Sequence, residues 1–246
     1  MDRSLIWAGL AVSLFGWSGP GQAPQRQTVL VELFTSEGCS SCPPADSLLE
    51  RLDRTQPISG AQIVVLSEHV DYWNHIGWAD PYSSAVFSNR QEQYARRFHI
   101  EGPYTPQMIV DGTAEFVGSD AREAELAIRS AIGRTKTSVR LLSNGADTGS
   151  VKLEVDPLPA GKARKAEVWV AYAADSGDSD VLRGENKGRR LHHVSILKNL
   201  RRVGTVDERS GFQARVAVEQ GLRLIAFVQE PGNGPVRGAA MRPSGR

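Results

Sequence analysis

Between residues 28 and 52 the sequence switches from a strand period to a helix period across a single turn, and this switch limits what the chain can build. Thr28-Val29-Leu30-Val31-Glu32-Leu33-Phe34-Thr35 is rich in β-branched and apolar residues, as a mostly buried strand is. Ser36-Glu37-Gly38 reads as a turn. From Pro43 to Leu52 the apolar residues Leu48, Leu49 and Leu52 share one helical face, and the leading prolines suit a first helical turn. The only two cysteines of the 246 residues, Cys39 and Cys42, fall on that strand-to-helix junction. A disulfide between them would enclose two residues and restrict the unfolded chain very little, so structure alone is a poor reason for it.

The alternation continues downstream. A buried strand is expected over Gln62–Val70, followed by an aromatic, turn-rich stretch from Asp71 to Tyr82 and a helix over Ser83–Phe98. Two short strands, Gln107–Val110 and Ala114–Gly118, flank the Asp111-Gly112 turn signal, and a last helix is expected over Asp120–Ile132. The order is β-α-β-α-β-β-α. Beyond Thr135 the texture changes to short strands: Ser138–Leu142, Val151–Val155, Ala166–Ala173, His193–Val206, Phe212–Val218, Leu222–Gln229 and Pro235–Met241. Strands without helices predict an antiparallel sheet or sandwich. The expected organisation is thus an α/β domain over residues 28–134 followed by a smaller β-rich domain over 135–246.

At the N-terminus a single early cation, Arg3, precedes the apolar run from Leu5 to Phe15 and a series of small and turn-forming residues up to Ala23. This is the pattern of a signal peptide over residues 1–23, and it implies a periplasmic or secreted protein; a retained N-terminal anchor is the alternative. No later stretch approaches the roughly 20 apolar residues of a spanning helix, so no transmembrane helix is expected after signal removal. In an oxidising compartment two cysteines favour a disulfide over a metal site. With 29 basic and 28 acidic residues the net charge is +1, too weak a field to hold nucleic acid or an anionic membrane by electrostatics. Neither a glycine-rich dinucleotide fingerprint nor a phosphate loop is present, so no organic cofactor is implied. Nothing in the sequence speaks to oligomeric state.

A dithiol reacts through its thiolate, and the start of a helix favours one, because unpaired N–H groups and the positive end of the helix dipole face it. Cys39 is placed to attack or be attacked, and Cys42, one turn further in, to resolve a mixed disulfide. Zinc would need two further ligands at close spacing, and none is there. A second motif is Tyr104-Thr105-Pro106-Gln107-Met108-Ile109-Val110, a proline set directly before a strand. Together with Phe34-Thr35-Ser36-Glu37-Gly38-Cys39-Ser40-Ser41-Cys42-Pro43 it resembles the thioredoxin fold. That resemblance implies an α/β thioredoxin-like domain followed by the smaller β-rich domain, a cis Pro106 packed against the dithiol, and a substrate groove lined by the backbone of Thr105. It departs from ordinary thioredoxins before Cys39, where Glu37-Gly38 stands in place of a tryptophan. Ser67-Glu68-His69-Val70-Asp71-Tyr72-Trp73, the Pro81-Tyr82 helix entry and Phe227-Val228-Gln229-Glu230 widen the match. Over nearly the whole mature chain it resembles the exported, thioredoxin-like family known as domain of unknown function 1223.

Two further positions, His69 with its neighbour Glu68, and Glu32, are candidates for proton transfer. His69 lies at the carboxyl end of the second strand, where active groups gather in open α/β sheets; Glu68 beside it is a related candidate, and local hydrogen bonding is the bland alternative. Glu32 is the second candidate if it faces the buried thiol, with an edge position as its alternative. In Arg183-Gly184-Glu185-Asn186-Lys187-Gly188-Arg189-Arg190-Leu191-His192-His193, adjacent histidines on a strand point to opposite faces and would not grip one metal ion; a solvated hairpin is expected. Lys198, Arg201 and Arg202 read as an exposed edge defended by charge. Together these features point to an exported thiol-disulfide oxidoreductase whose partners are protein or small-molecule thiols and disulfides. A non-catalytic binding or assembly module with a locked disulfide is the competing class. A Cu(I)-handling protein is a third, although the chain has only three methionines.

Overall fold

The computed structural model of the protein describes residues 26–145, 147–161 and 163–245. The signal peptide expected over 1–23 lies outside the described residues. Strand β1 (Gln27–Thr35) pairs in parallel with β2 (Ala61–His69) along its whole length, and helix α1 (Pro43–Thr55) forms the crossover that parallel strands require. On its other edge β1 pairs antiparallel with β3 (Gln107–Val110), which turns back into β4 (Ala114–Val117).

Because side chains alternate across a strand, β1 addresses two different layers. Val29, Val31 and Leu33 pack against Leu48, Leu49 and Leu52 of α1 and against Ala124, Ile128 and Ala131 of α3 (Ala121–Ile132). Leu30 faces the opposite way, into a cluster that includes Phe87 of α2 (Ala85–Phe98). Helix α3 starts where the Asp120 carboxylate accepts the N–H groups of Arg122 and Glu123. Helix α2 starts at Ser84, whose hydroxyl accepts the Val86 N–H. No helix among the described residues is long and apolar enough to cross a membrane.

The second half of the chain corrects the expected fold class. Strands β7 (Lys165–Asp180), β8 (Arg190–Asp207), β10 (Leu222–Gln229) and β11 (Val236–Arg242) do not form a domain appended to an α/β thioredoxin-like one. They complete the same sheet, an eight-stranded mixed sheet in the order β11-β10-β7-β8-β2-β1-β3-β4. The junction is the parallel contact of Ser67 in β2 with Ile196 in β8. Only β5 (Val139–Asn144), β6 (Asp147–Val155) and β9 (Phe212–Ala217) stand apart, as a three-stranded sheet whose Val151, Leu153 and Val155 cover Val168, Val170 and Tyr172 of β7. The other face of β7, with Ala171 and Ala173, joins Leu30, Val64 and Leu66 in one core. A strand buried on both faces belongs in the middle of a sheet, whereas the local alternation in its sequence does not name its neighbours.

Lys198, Arg201 and Arg202 are exposed, as expected, and lie beyond Ile196, the one residue of β8 that pairs with β2. Lys198 rests over the Tyr82 ring, Arg201 donates to the Tyr172 hydroxyl and Arg202 pairs with Glu167.

Candidate functional site

Cys39 and Cys42 are joined by a disulfide in the turn that carries β1 into α1. The Cys39 N–H donates to the Ser36 carbonyl at 3.1 Å and the Cys42 N–H to the Cys39 carbonyl at 3.2 Å. Cys42 is the N-cap of α1, with Pro43 directly after it, and its carbonyl accepts the Asp46 N–H. Both cysteines are 0% exposed, whereas Ser40 and Ser41 between them are exposed. The Cys39 Sγ lies 3.4 Å from the Ser41 hydroxyl.

Thr105 and Pro106 are brought to the residues that flank the pair. The Thr105–Pro106 peptide is cis. The Trp73 indole N–H donates to the Thr105 hydroxyl at 2.8 Å, and the Trp73 Cβ lies so close to Gly38 that any side chain there would meet it at 3.0 Å. Pro106 converges with Leu33 and with Ala45 of α1 on Gly118, where an added Cβ would stand 2.7–3.2 Å from all three.

Behind the turn lies a buried polar cluster. His69, at the end of β2, binds Asp80 Oδ2 through Nδ1 at 2.7 Å, and the same oxygen accepts the Glu37 N–H at 2.9 Å. The Glu37 carboxylate accepts the Trp78 indole N–H through Oε2 at 2.7 Å. His193, at the start of β8, stands between two carboxylates, with Nε2 3.4 Å from Glu37 Oε1 and Nδ1 3.6 Å from Asp46 Oδ1. Its ring meets that of His69 edge-on at 4.5 Å. Glu37 and Asp46 bracket the cysteines, one on each side, so His193 faces the turn from behind. Burial works against a charge on His193, but Asp46 and Glu37 outweigh it and raise its pKa to about 10. Burial also disfavours the Asp80 carboxylate, yet His69 and the N–H groups of Glu37 and Tyr82 hold its pKa below the usual range. Five buried polar atoms here lack a hydrogen-bond partner: Glu37 Oε1, Asp46 Oδ1, His69 Nε2 and both ring nitrogens of His193.

Glu32 is not brought to the cysteines. It shares the parity of Leu30 and Phe34, and so faces α2 on the opposite side of the sheet. There Arg90 Nε donates to it at 2.7 Å and the Tyr94 hydroxyl at 2.6 Å. Arg90 also donates to Asn233, Tyr94 and Gln229. Glu68 lies in the same cluster, 3.7 Å from Arg90; burial, and then the charge of Glu32, hold its carboxyl well above the usual range.

The segment expected to be a solvated hairpin is instead bonded, through Asn186 and Glu185, to the main chain around Cys39. Asn186 is 1% exposed, and its amide donates to the Glu37 carbonyl at 2.8 Å and the Cys39 carbonyl at 2.9 Å. The Glu185 carboxylate accepts the Ser40 N–H at 3.0 Å. His192 is exposed and His193 buried, on opposite faces of β8. Among the described residues no group of three or more His, Cys, Asp or Glu is arranged to hold a metal ion.

Glu37, Asp46, Asp80, Asn186 and His193 escape the sequence reading as site residues. Glu37 carries one usable signal, a charge placed between a buried strand and the first cysteine. Asp46 could be placed from its position one turn after Cys42. An asparagine among charged loop residues carries no such mark.

Fold and site define a mixed-sheet protein with a buried, closely spaced disulfide at a strand-to-helix turn, enclosed by ionisable groups. The chain belongs to the family described as a protein of unknown function, DUF1223, whose pattern matches residues 30–229. It is similar to the crystal structure of a protein from Agrobacterium tumefaciens, with 26% identity over 91% of this chain and 97% of that one and a TM-score of 0.72. It also shares its fold with HBP35 of Porphyromonas gingivalis, with 12% identity over 91% of this chain and 77% of that one and a TM-score of 0.55. Among curated proteins none matches the chain.

Proposed function

We propose that Cys39 and Cys42 form a thiol-disulfide exchange couple acting on protein or small-molecule thiols and disulfides in an exported protein. The observation that carries this reading is a disulfide enclosing only two residues at the start of α1, with buried ionisable side chains gathered behind it. Such a bridge contributes little as a staple, and surrounding carboxylates and imidazoles suit a site that must move protons as sulfur changes charge.

In the oxidising direction a partner thiolate attacks the Cys39 sulfur and forms a mixed disulfide; the Cys39–Cys42 bond breaks, and Cys42 leaves as a thiolate that takes up a proton. A second partner thiolate then attacks its own sulfur in the mixed disulfide. Cys39 is released, and the partner has lost the two electrons that the couple has gained. The reducing direction runs the same steps backwards.

The complete burial of both sulfurs favours a second reading, a binding module with a locked disulfide. The reduction potential in glutathione buffers, with Cys39→Ser as control, separates the two. Exchange predicts a reversible couple between about −120 and −270 mV, and a locked bridge one below about −300 mV without exchange.

A further inference from the structure

We propose that Glu185 and Asn186 are specificity-determining residues of the exchange site, holding the loop of residues 181–189 over Cys39 on main-chain groups that a polypeptide substrate would use. The inference rests on the exchange reading and adds the class of substrate to it.

Asn186 is the loop's anchor. Residues 182, 183, 185 and 187–190 are exposed, yet Asn186 is buried, and both of its amide bonds end on carbonyls next to the reactive sulfur. Its Oδ1 accepts from Arg189 at 2.9 Å, which orients the amide. The neck of the loop is closed by the Val181 N–H on the Arg189 carbonyl and the Gly188 N–H on the Val181 carbonyl. Within that neck Gly184 and Gly188 have φ of 75° and 81°, so the backbone can change course there with no side chain in the way. Glu185 is exposed and touches the site through one bond to the Ser40 N–H.

The three groups so engaged are one donor, the Ser40 N–H, and two acceptors, the carbonyls of Glu37 and Cys39. For a thiol whose own chain binds at these groups the loop must be displaced, and the displaced bonds must be replaced or their loss accepted. A polypeptide flanking a thiol carries N–H and C=O groups that can replace all three. A small dithiol without peptide groups has to wait for the loop to open. The loop therefore favours polypeptide thiols by excluding the rest, and repulsion of wrong partners is a common source of specificity.

The test is the rate of reduction of the oxidised full chain against thiol concentration, quenched by alkylation and read by mass. The probes are dithiothreitol and the peptide dithiol acetyl-Gly-Cys-Gly-Gly-Cys-Gly-amide. For the natural sequence the rate with dithiothreitol should level off at high concentration, where opening limits it. Asn186→Ala should raise that plateau at least tenfold and the peptide rate no more than threefold. Glu185→Ala, at an exposed position where folding is not at stake, should raise the plateau in the same direction by a smaller factor. A rate linear in dithiothreitol, or variants that both react like the natural sequence, would overturn the proposal; so would an equal gain for both thiols, since the loop would then gate without selecting. The equilibrium with glutathione is read on the same samples. A bridge that glutathione cannot open at equilibrium would sink the exchange reading, and the dithiothreitol kinetics would still report on the loop.

Discussion

The central sheet separates two buried polar clusters, and they are built on opposite terms. On the α2 side Arg90 spends its donors on Glu32, Tyr94, Gln229 and Asn233, and Tyr94 and Gln229 bond to each other at 2.8 Å. Arg90, Glu32, Tyr94 and Gln229 are thus bonded to one another around one ion pair, whereas both oxygens of the neighbouring Glu68 carboxyl lack a hydrogen-bond partner. On the disulfide side His193 sits between Glu37 and Asp46 at 3.4 and 3.6 Å without a well-formed hydrogen bond to either. Polar groups buried with bonds left over are costly, and natural proteins keep them where a site needs them. The candidates Glu32 and His69 are therefore not equivalent: Glu32 is held by Arg90 and Tyr94 away from the cysteines, and His69 stands in the cluster behind them.

The largest effect that would break this contrast is expected from Arg90→Met. It leaves Glu32 charged and buried, and should cost about 3–5 kcal/mol in urea unfolding. A loss below about 1 kcal/mol would remove the structural role assigned to the α2 side.

Next in size is the pH dependence carried by His193. Its folded pKa is raised from an ordinary value near 6.5 to about 10, so its stabilisation is fully present below pH 6.5 and is lost as the pH rises from there toward 10. Comparison with His193→Gln should show the natural sequence losing its advantage over that window, by at most about 1.4 kcal/mol per pH unit. An advantage independent of pH between 6 and 9 would mean that the ring has the same pKa in the folded and unfolded chains.

Reduction of the disulfide is expected to cost less. The loop is so short that chain entropy accounts for about 2 kcal/mol at most. For a chain of this size that is a fall in melting temperature of roughly 4–8 °C. A much larger fall would move the bridge from the responsive to the structural side of the comparison.

The smallest effect belongs to Glu68. Burial and Glu32 favour its neutral form, so Glu68→Gln resembles what is already there near neutral pH. It should change stability by less than about 1 kcal/mol at pH 4, below the ordinary carboxyl range, where the carboxyl is neutral in folded and unfolded chains alike. Because the raised folded pKa makes the natural sequence lose stability as pH rises above the ordinary carboxyl range, the variant should gain relative to it at pH 8. A pH-independent loss would show that Glu68 is held as a carboxylate.

How much of this was open to a reader of the sequence follows from the range of each signal. Local signals carried far. The strand-to-helix switch placed Cys39 and Cys42 at the mouth of α1, the proline before a strand placed Pro106, and the helices and strands up to Ile132 lie within about two residues of where periodicity sets them. Strand parity was legible as a rule, and correctly kept His192 and His193 on opposite faces. It could not say which face of β1 met the disulfide, and so left Glu32 open.

By itself, then, the sequence determined the elements, the spacing of the cysteines and the alternation of each strand, because these depend on neighbours a few residues apart. Only the tertiary structure decided that β7, β8, β10 and β11 extend the first sheet, that His193 stands behind the cysteines and that Asn186 bonds to the main chain at Cys39. Those contacts join residues about 150 positions apart in the chain. They follow from which buried faces fit together, and a strand with two apolar faces satisfies its own pattern beside many partners.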